Sequence, residues 1–182
     1  ERCAMIYSGG DLINYGPDPW ECINRAGSSV VLQLTGNHED ESHKYINGDK
    51  GMTWFREHAK QSIEWTIGHF KRGVGIGKLQ EYLLSVRDRR VPSQHWEGRT
   101  LYVHGIPTNP LIGYLTDKNI SLRNEFAKME EAEERGQVDV CFCGHTHQPA
   151  LYSFDGHSVS DESFEMMLAF EKKGNVAYTK EL

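Results

Sequence analysis

Six side chains able to bind a metal or move a proton stand in four short glycine-bearing turns. They are Asp11 after Gly10, Asn37 and His38 after Gly36, His104 before Gly105, and both imidazoles of Gly144-His145-Thr146-His147. One carboxylate, one amide oxygen and several imidazoles form a mixed nitrogen and oxygen donor set, which suits manganese, iron or zinc. No thiolate cluster of the structural-zinc kind accompanies them, and the set is too rich in imidazole for calcium. A carboxylate has two oxygens, so Asp11 is the natural bridge between two cations. Two cations roughly 3.5–4 Å apart clamp phosphate oxygens and acidify a shared water, making a bridging hydroxide available near neutral pH. The expected cofactors are therefore two divalent ions, manganese first, with iron or zinc as alternatives. His38, adjacent to Asn37, is suited to stand beside the ions as general acid for the leaving oxygen or to stabilise charge there.

Taken singly, each residue has a plainer account. An isolated loop histidine is usually a surface residue, Asn after Gly is ordinary turn chemistry, and Asp11 caps a turn. His38 read alone is a hydrogen-bonding support. Their joint occurrence and order point to a site.

The segments that must position these turns alternate strand and helix. Apolar runs at residues 2–7, 29–34, 100–103 and 138–143 read as strands, and each ends at one of the four turns. Side chains just beyond the C-terminal ends of strands in an α/β sheet converge in one crevice, so residues distant in sequence can share a site. Between the strands, Asp18-Pro19 opens a helix as cap and first residue, closing at Gly27. Met52, Phe55, Ala59, Ile63, Ile67 and Phe70 recur at three- and four-residue spacing and mark one buried helical face, with Trp54 and Trp65 off that stripe. Ile76, Leu79 and Leu83 give a shorter helix. Ile120, Phe126 and Met129 give another, running to Gly136 with a solvated, Glu-rich outer face. A last strand is expected at 150–154 and a helix at 163–172.

Bulk properties narrow the class. The 182 residues, 38% hydrophobic and 25% charged, fit a single globular domain spanning 1–182. A net charge of −6 argues against general nucleic-acid binding, and no apolar run is long enough to span a membrane. Cys3, Cys22, Cys141 and Cys143 lack disulfide-framework spacing and are expected as reduced thiols in a cytoplasmic protein. The chain opens at Glu1 on a strand already under way, so a piece of a longer protein is expected.

Gly10-Asp11, Gly36-Asn37-His38-Glu39, His104-Gly105 and Gly144-His145-Thr146-His147, in that order, resemble the motifs of the calcineurin-like metallophosphoesterases. The stretches 10–19 and 103–107 look like the compact, mostly prokaryotic, phosphodiesterase-like branch. The resemblance covers about residues 3–152. It implies an α/β fold, a four-layer αββα sandwich, here lacking its first strand and its C-terminal strands. It also implies that Asp11 bridges, that Asn37, His104 and His145 complete one metal site, that His147 serves the other metal, and that His38 is the catalytic histidine. Asn37 and Tyr15 are candidates for touching substrate, and Tyr15 has loop packing as its alternative.

Two departures qualify the resemblance. The family's Asp-x-His motif, which supplies two ligands to the second metal, has no counterpart in this chain. Where protein phosphatases of the family carry an Asp-Arg pair, with the Asp supporting the catalytic His and the Arg gripping phosphate, this chain has Asn14-Tyr15. The substrate expected is a small phosphate compound, diester or monoester, with nucleotide derivatives included. The competing expectation is a catalytically decayed scaffold that uses the fold for protein–protein interaction.

Overall fold

The computed structural model describes residues 5–49, 55–87, 93–115, 122–130, 138–147, 151–154 and 159–162. Met52, Trp54, Cys3, Ile120, the helix end at Gly136 and the expected helix at 163–172 lie outside them. The elements run β1 (Tyr7–Ser8), α1 (Pro19–Ser29), β2 (Leu32–Gln33), α2 (Asn37–Ile46), α3 (Glu57–Arg72) and α4 (Ile76–Arg87). They continue as β3 (Gln94–Glu97), β4 (Thr100–Val103), α5 (Leu122–Glu130), β5 (Val140–Cys143), β6 (Leu151–Phe154) and β7 (Val159–Glu162).

Two sheets matter for the site. β1 and β2 pair in parallel, Tyr7 with Leu32 and Ser8 with Gln33. The pairing is extended at both ends by Val31 N–H to Ile6 O and Leu34 N–H to Ser8 O, each at 2.9 Å. In the second sheet β4 is central, antiparallel to β3 and parallel to β5. Tyr7 stacks on Tyr102 at 4.7 Å, and Tyr102 on Phe142 at 5.3 Å, joining the two sheets through a column of rings. Parallel pairing points the ends of β1 and β2, and of β4 and β5, the same way, so the turns after them emerge together.

α3 buries Ala59, Ile63, Ile67 and Phe70 against Leu79, Tyr82, Leu83 and Val86 of α4, with Ile13 of the first turn in the same cluster. Each fully buried Ile, Leu or Phe contributes about 1.5–3 kcal/mol, and this packing seats the Asp11 turn on the helices. On the second sheet Leu101 and Val103 meet Met129 of α5 and Val138. The stripes of α3 and α4 match the spacing in the sequence, and Thr100–Val103 is a strand as expected.

Several elements differ from the expectation. Asp18 stands at the cap position of α1 without a side-chain cap bond, and the helix passes Gly27 to end at Ser29. Strands 1 and 2 are shorter, Tyr7–Ser8 and Leu32–Gln33. β5 is not a fully buried strand: Val140 and Phe142 are each 45% exposed, while Cys141 and Cys143 turn inward with their sulfurs 3.6 Å apart. Cys22, Cys141 and Cys143 are free thiols.

α2, β3 and β7 were not expected. α2 carries no apolar stripe, because it buries Asn37, His38, Glu39, Asp40, Glu41 and Ser42. A pattern that reports contact with an apolar core is blind to a helix that buries polar groups. Asn37 and His38 therefore occupy the first turn of a helix rather than a loop.

Candidate metal centre

The site begins with backbone held where L-residues rarely go. Among the described residues, every non-glycine with positive φ lies in two site turns: Asp11 (57), Asn14 (75) and Tyr15 (54), then His145 (65) and His147 (54). Left-handed backbone costs a non-glycine residue about 1–2 kcal/mol, so something must compel it. For the first turn that something is Glu39. Its carboxylate, fully buried on α2, accepts the N–H groups of Asp11 at 2.8 Å, Leu12 at 2.7 Å and Gly36 at 2.9 Å, and the Tyr82 hydroxyl at 3.1 Å. Burial and the neighbouring Asp11 push this carboxyl upward, against the three N–H donors that hold it anionic.

Glycine is required where the two turns meet. A side chain at Gly36 would collide with Asp11, and one at Gly10 would meet the Gly36 nitrogen. α4 fastens the second turn from outside. Thr35 donates its hydroxyl to Val86 O at 2.6 Å, Arg87 pairs with Asp40, and Gln33 donates to the Tyr82 oxygen.

His104 gives the clearest chemical signal. Its Nδ1 lies 2.6 Å from Gly9 O, and a carbonyl only accepts, so Nδ1 carries the proton and Nε2 a lone pair. That bare nitrogen is 2.9 Å from Asn37 Oδ1, 3.2 Å from His145 Nδ1 and 3.4 Å from Asp11 Oδ2. Burial lowers the basicity of His104, so the approach to Asp11 is not an ion pair. Two of the three groups facing it, Asn37 Oδ1 and Asp11 Oδ2, bring lone pairs only. A cation is the species that such a point accommodates.

The ligand atoms of Asp11, His104 and His145 all lie within 4.8 Å of one another. His145 Nε2 is buried with no hydrogen-bond partner among the described residues. These donors fit a divalent ion of the kind that takes mixed nitrogen and oxygen ligands.

Burial sets the protonation states. It is the main cause that lowers His38 and His145 to about 4, with the neighbouring histidines adding to it. Burial also raises Asp11 to about 6, opposed by the His38 backbone N–H, which Asp11 Oδ1 accepts at 3.0 Å, and by His147. The imidazoles are thus neutral near pH 7, ready to serve as ligands.

His38 sits beside this cluster. Asn14 Nδ2 lies 3.0 Å from His38 Nδ1 and 3.3 Å from Ser42 Oγ. Since Asn14 donates here, His38 Nδ1 accepts and the proton resides on Nε2. Tyr15 meets the His38 ring edge-on at 4.8 Å, and Phe55 packs on it at 5.2 Å.

The fold therefore brings Asp11, Asn37, His104 and His145 into contact and sets His38 beside them. His147 is placed differently: it is exposed and outside the tight group, yet near enough to act electrostatically on Asp11, His38, His104 and His145. Tyr15 is at the site edge and exposed. Two positioning groups, Glu39 and Tyr82, lie outside the donor set that the turns announce. Glu39 stood in plain view as the third helical residue after Gly36, a spacing that marks a helix start. Tyr82 gave no signal, being one aromatic on a helix face that reads as ordinary core.

A family model described as calcineurin-like phosphoesterase matches residues 1–149. The chain belongs to the calcineurin-like phosphoesterase family. A crystal structure of a metallophosphoesterase from Sphaerobacter thermophilus resembles it with a TM-score of 0.60 and 25% identity, over 84% of this chain and 53% of that one. A hypothetical protein of Pyrococcus horikoshii shares the fold at a TM-score of 0.50 and 16% identity, over 93% of this chain and 80% of that one. An uncharacterised protein of Methanocaldococcus jannaschii is 23% identical over 158 residues, 86% of this chain and 56% of that protein. The chain thus spans little more than half the length of the Methanocaldococcus and Sphaerobacter relatives. Its α/β fold is of the metallophosphoesterase type. Among the described residues no helix is long and apolar enough to cross a membrane.

Proposed function

We propose that this chain is the core of a metal-dependent phosphoesterase acting on small phosphate esters, diesters foremost. The observation that carries the reading is the bare His104 Nε2, held in that state by Gly9 and faced by Asn37, His145 and Asp11. Asp11, Asn37, His104 and His145 would hold one divalent cation, and Asp11 together with His147 would contribute to a second. Manganese is the first choice, with iron or zinc behind it. Bound cations supply positive charge for the phosphate oxygens and acidify water enough to furnish a nucleophile near neutral pH.

The protein's own groups do the rest. Glu39 and α4 fix the two turns so that the donors need not reorganise. Asn37 and Tyr15 face the ester. His38 presents its Nε2 proton to the departing oxygen as a hydrogen bond that stabilises the charge developing there. Its partner Asn14 is a neutral amide, which adds no charge to hold a second proton on the ring. That partner suits esters whose leaving oxygen needs little assistance, such as activated diesters.

The test is turnover of bis(para-nitrophenyl) phosphate by purified protein. Hydrolysis is expected with added manganese, lost on chelation and regained on readdition. Activity that persists after the metal is shown to be gone would sink the mechanism, and none under any metal would favour the scaffold. In the same assay His38→Gln is expected to lower kcat by about tenfold, less than the hundredfold usual for such a group, because para-nitrophenoxide leaves with little assistance. Manganese affinity by calorimetry should stay put, because His38 is not among the donors. A matching fall in affinity would mean that His38 is a ligand instead.

A further inference from the structure

Two tyrosine rings stand in solvent at the rim of the metal cluster, one on the His38 side and one on the His145 side. Tyr15 is 56% exposed and meets His38 edge-on; Tyr114 is 49% exposed and lies 3.9 Å from the His145 ring. Neither ring is needed by the core, yet both are held in place. Tyr15 and Asn14 before it adopt left-handed backbone, a conformation that must be compensated elsewhere. Tyr114 ends a loop pinned through its middle: the buried Glu125 of α5 accepts the Thr108 N–H at 2.9 Å and its hydroxyl at 2.7 Å. Gly105 N–H to Pro110 O and Gly113 N–H to Asn109 O close the same loop on itself.

Partial burial, with Tyr114 and Asp11 adding to it, raises the Tyr15 hydroxyl above its usual value, and Arg56 opposes them. Arg56 is exposed, follows the Phe55 that packs on His38, and is a cation close to the rim of an otherwise acidic chain. Rigid, half-exposed aromatic rings are surfaces on which planar groups stack, and a nearby guanidinium attracts an anionic ester.

We propose that Tyr15 and Tyr114 form an aromatic clamp that takes the planar base of the substrate, so that the preferred ester is a nucleotide phosphodiester with its base on the retained side. This inference rests on the phosphoesterase reading above and names its substrate class. Arg56 draws the anionic ester in, and the clamp orients it with its phosphorus over the donor cluster.

Two esters with one leaving group isolate the effect: the para-nitrophenyl ester of thymidine monophosphate and ethyl para-nitrophenyl phosphate, each with manganese. The thymidine ester should be favoured about tenfold or more in kcat/KM, a typical yield of one base–ring stack. Tyr15→Leu and Tyr114→Leu should each shrink that ratio, chiefly through KM, while Tyr15→Phe and Tyr114→Phe keep it. Equal kcat/KM for the two esters, or a preference that survives both Leu variants, overturns the clamp.

A second arm separates this idea from the hydrolysis it rests on. If neither ester turns over, hydrolysis is what fails, and the clamp is judged by calorimetry of thymidine monophosphate against ethyl phosphate on the manganese-supplemented protein. Tighter binding of the nucleotide that the Leu variants loosen supports the clamp; equal affinities overturn it.

Discussion

Asp11→Asn is expected to remove manganese-dependent turnover almost entirely, by on the order of a thousandfold. Asp11 is the one carboxylate in the cluster with His104 and His145 among the described residues, so the change takes away its only anionic donor. The amide keeps an oxygen to accept the His38 N–H, now made by Asp11 Oδ1 at 3.0 Å, so the turn should survive. The loss is then one of charge and not of fold.

A proton count makes the test sharper. Without a cation, Asp11 titrates at about 6, whereas His38 and His145 titrate near 4. A cation must displace the Asp11 proton below pH 6, but meets the His145 ring still neutral down to about pH 5. Manganese affinity should therefore be flat above about pH 7 and fall about fivefold from pH 6 to pH 5, with close to one proton released per ion bound at pH 5. Calorimetry in buffers of different ionisation heat reads that proton directly. Asp11→Asn should bind manganese far more weakly and release none. Wild-type release of two or three protons at pH 5.5 would show that imidazoles, not Asp11, hold the competing protons.

Glu39→Gln is the second large effect, and it falls on stability first. The wild-type carboxylate accepts three backbone N–H groups and a phenol in a place sealed from water. An amide of the same shape offers one oxygen and turns its NH2 toward N–H donors. At about 1–3 kcal/mol per unsatisfied buried group, the cost is about 4 kcal/mol. For a chain of this size that lowers Tm by about 8–16 °C. The turns bearing Asp11 and Asn37 lose their shared anchor, so manganese affinity should drop tenfold to a hundredfold, as is usual when the support behind a ligand is removed. Thermal denaturation followed by circular dichroism, together with calorimetry, checks both. An unchanged Tm would mean that water or a neighbouring group replaces the carboxylate, and the anchoring role would be lost.

Local chemistry made much of this protein legible. Asp11, Asn37, His104 and His145 advertise themselves because donor type and glycine turns are properties of short stretches. The stripes of α3 and α4 are legible because water drives apolar residues to one helical face. Even the departure at Asn14 was visible as an amide where the family's phosphatases carry a carboxylate.

Tertiary structure alone decided the rest. The proton on His104 is set by a carbonyl 95 residues earlier in the chain, and no local pattern encodes a bond across that distance. α2 hid because it buries carboxylates and imidazole, and Tyr82 hid because a phenol reaching Glu39 looks like any core aromatic. Sequence reports which groups a chain owns and which of them flee water. Where a buried proton sits depends on distances between groups that only folding brings together.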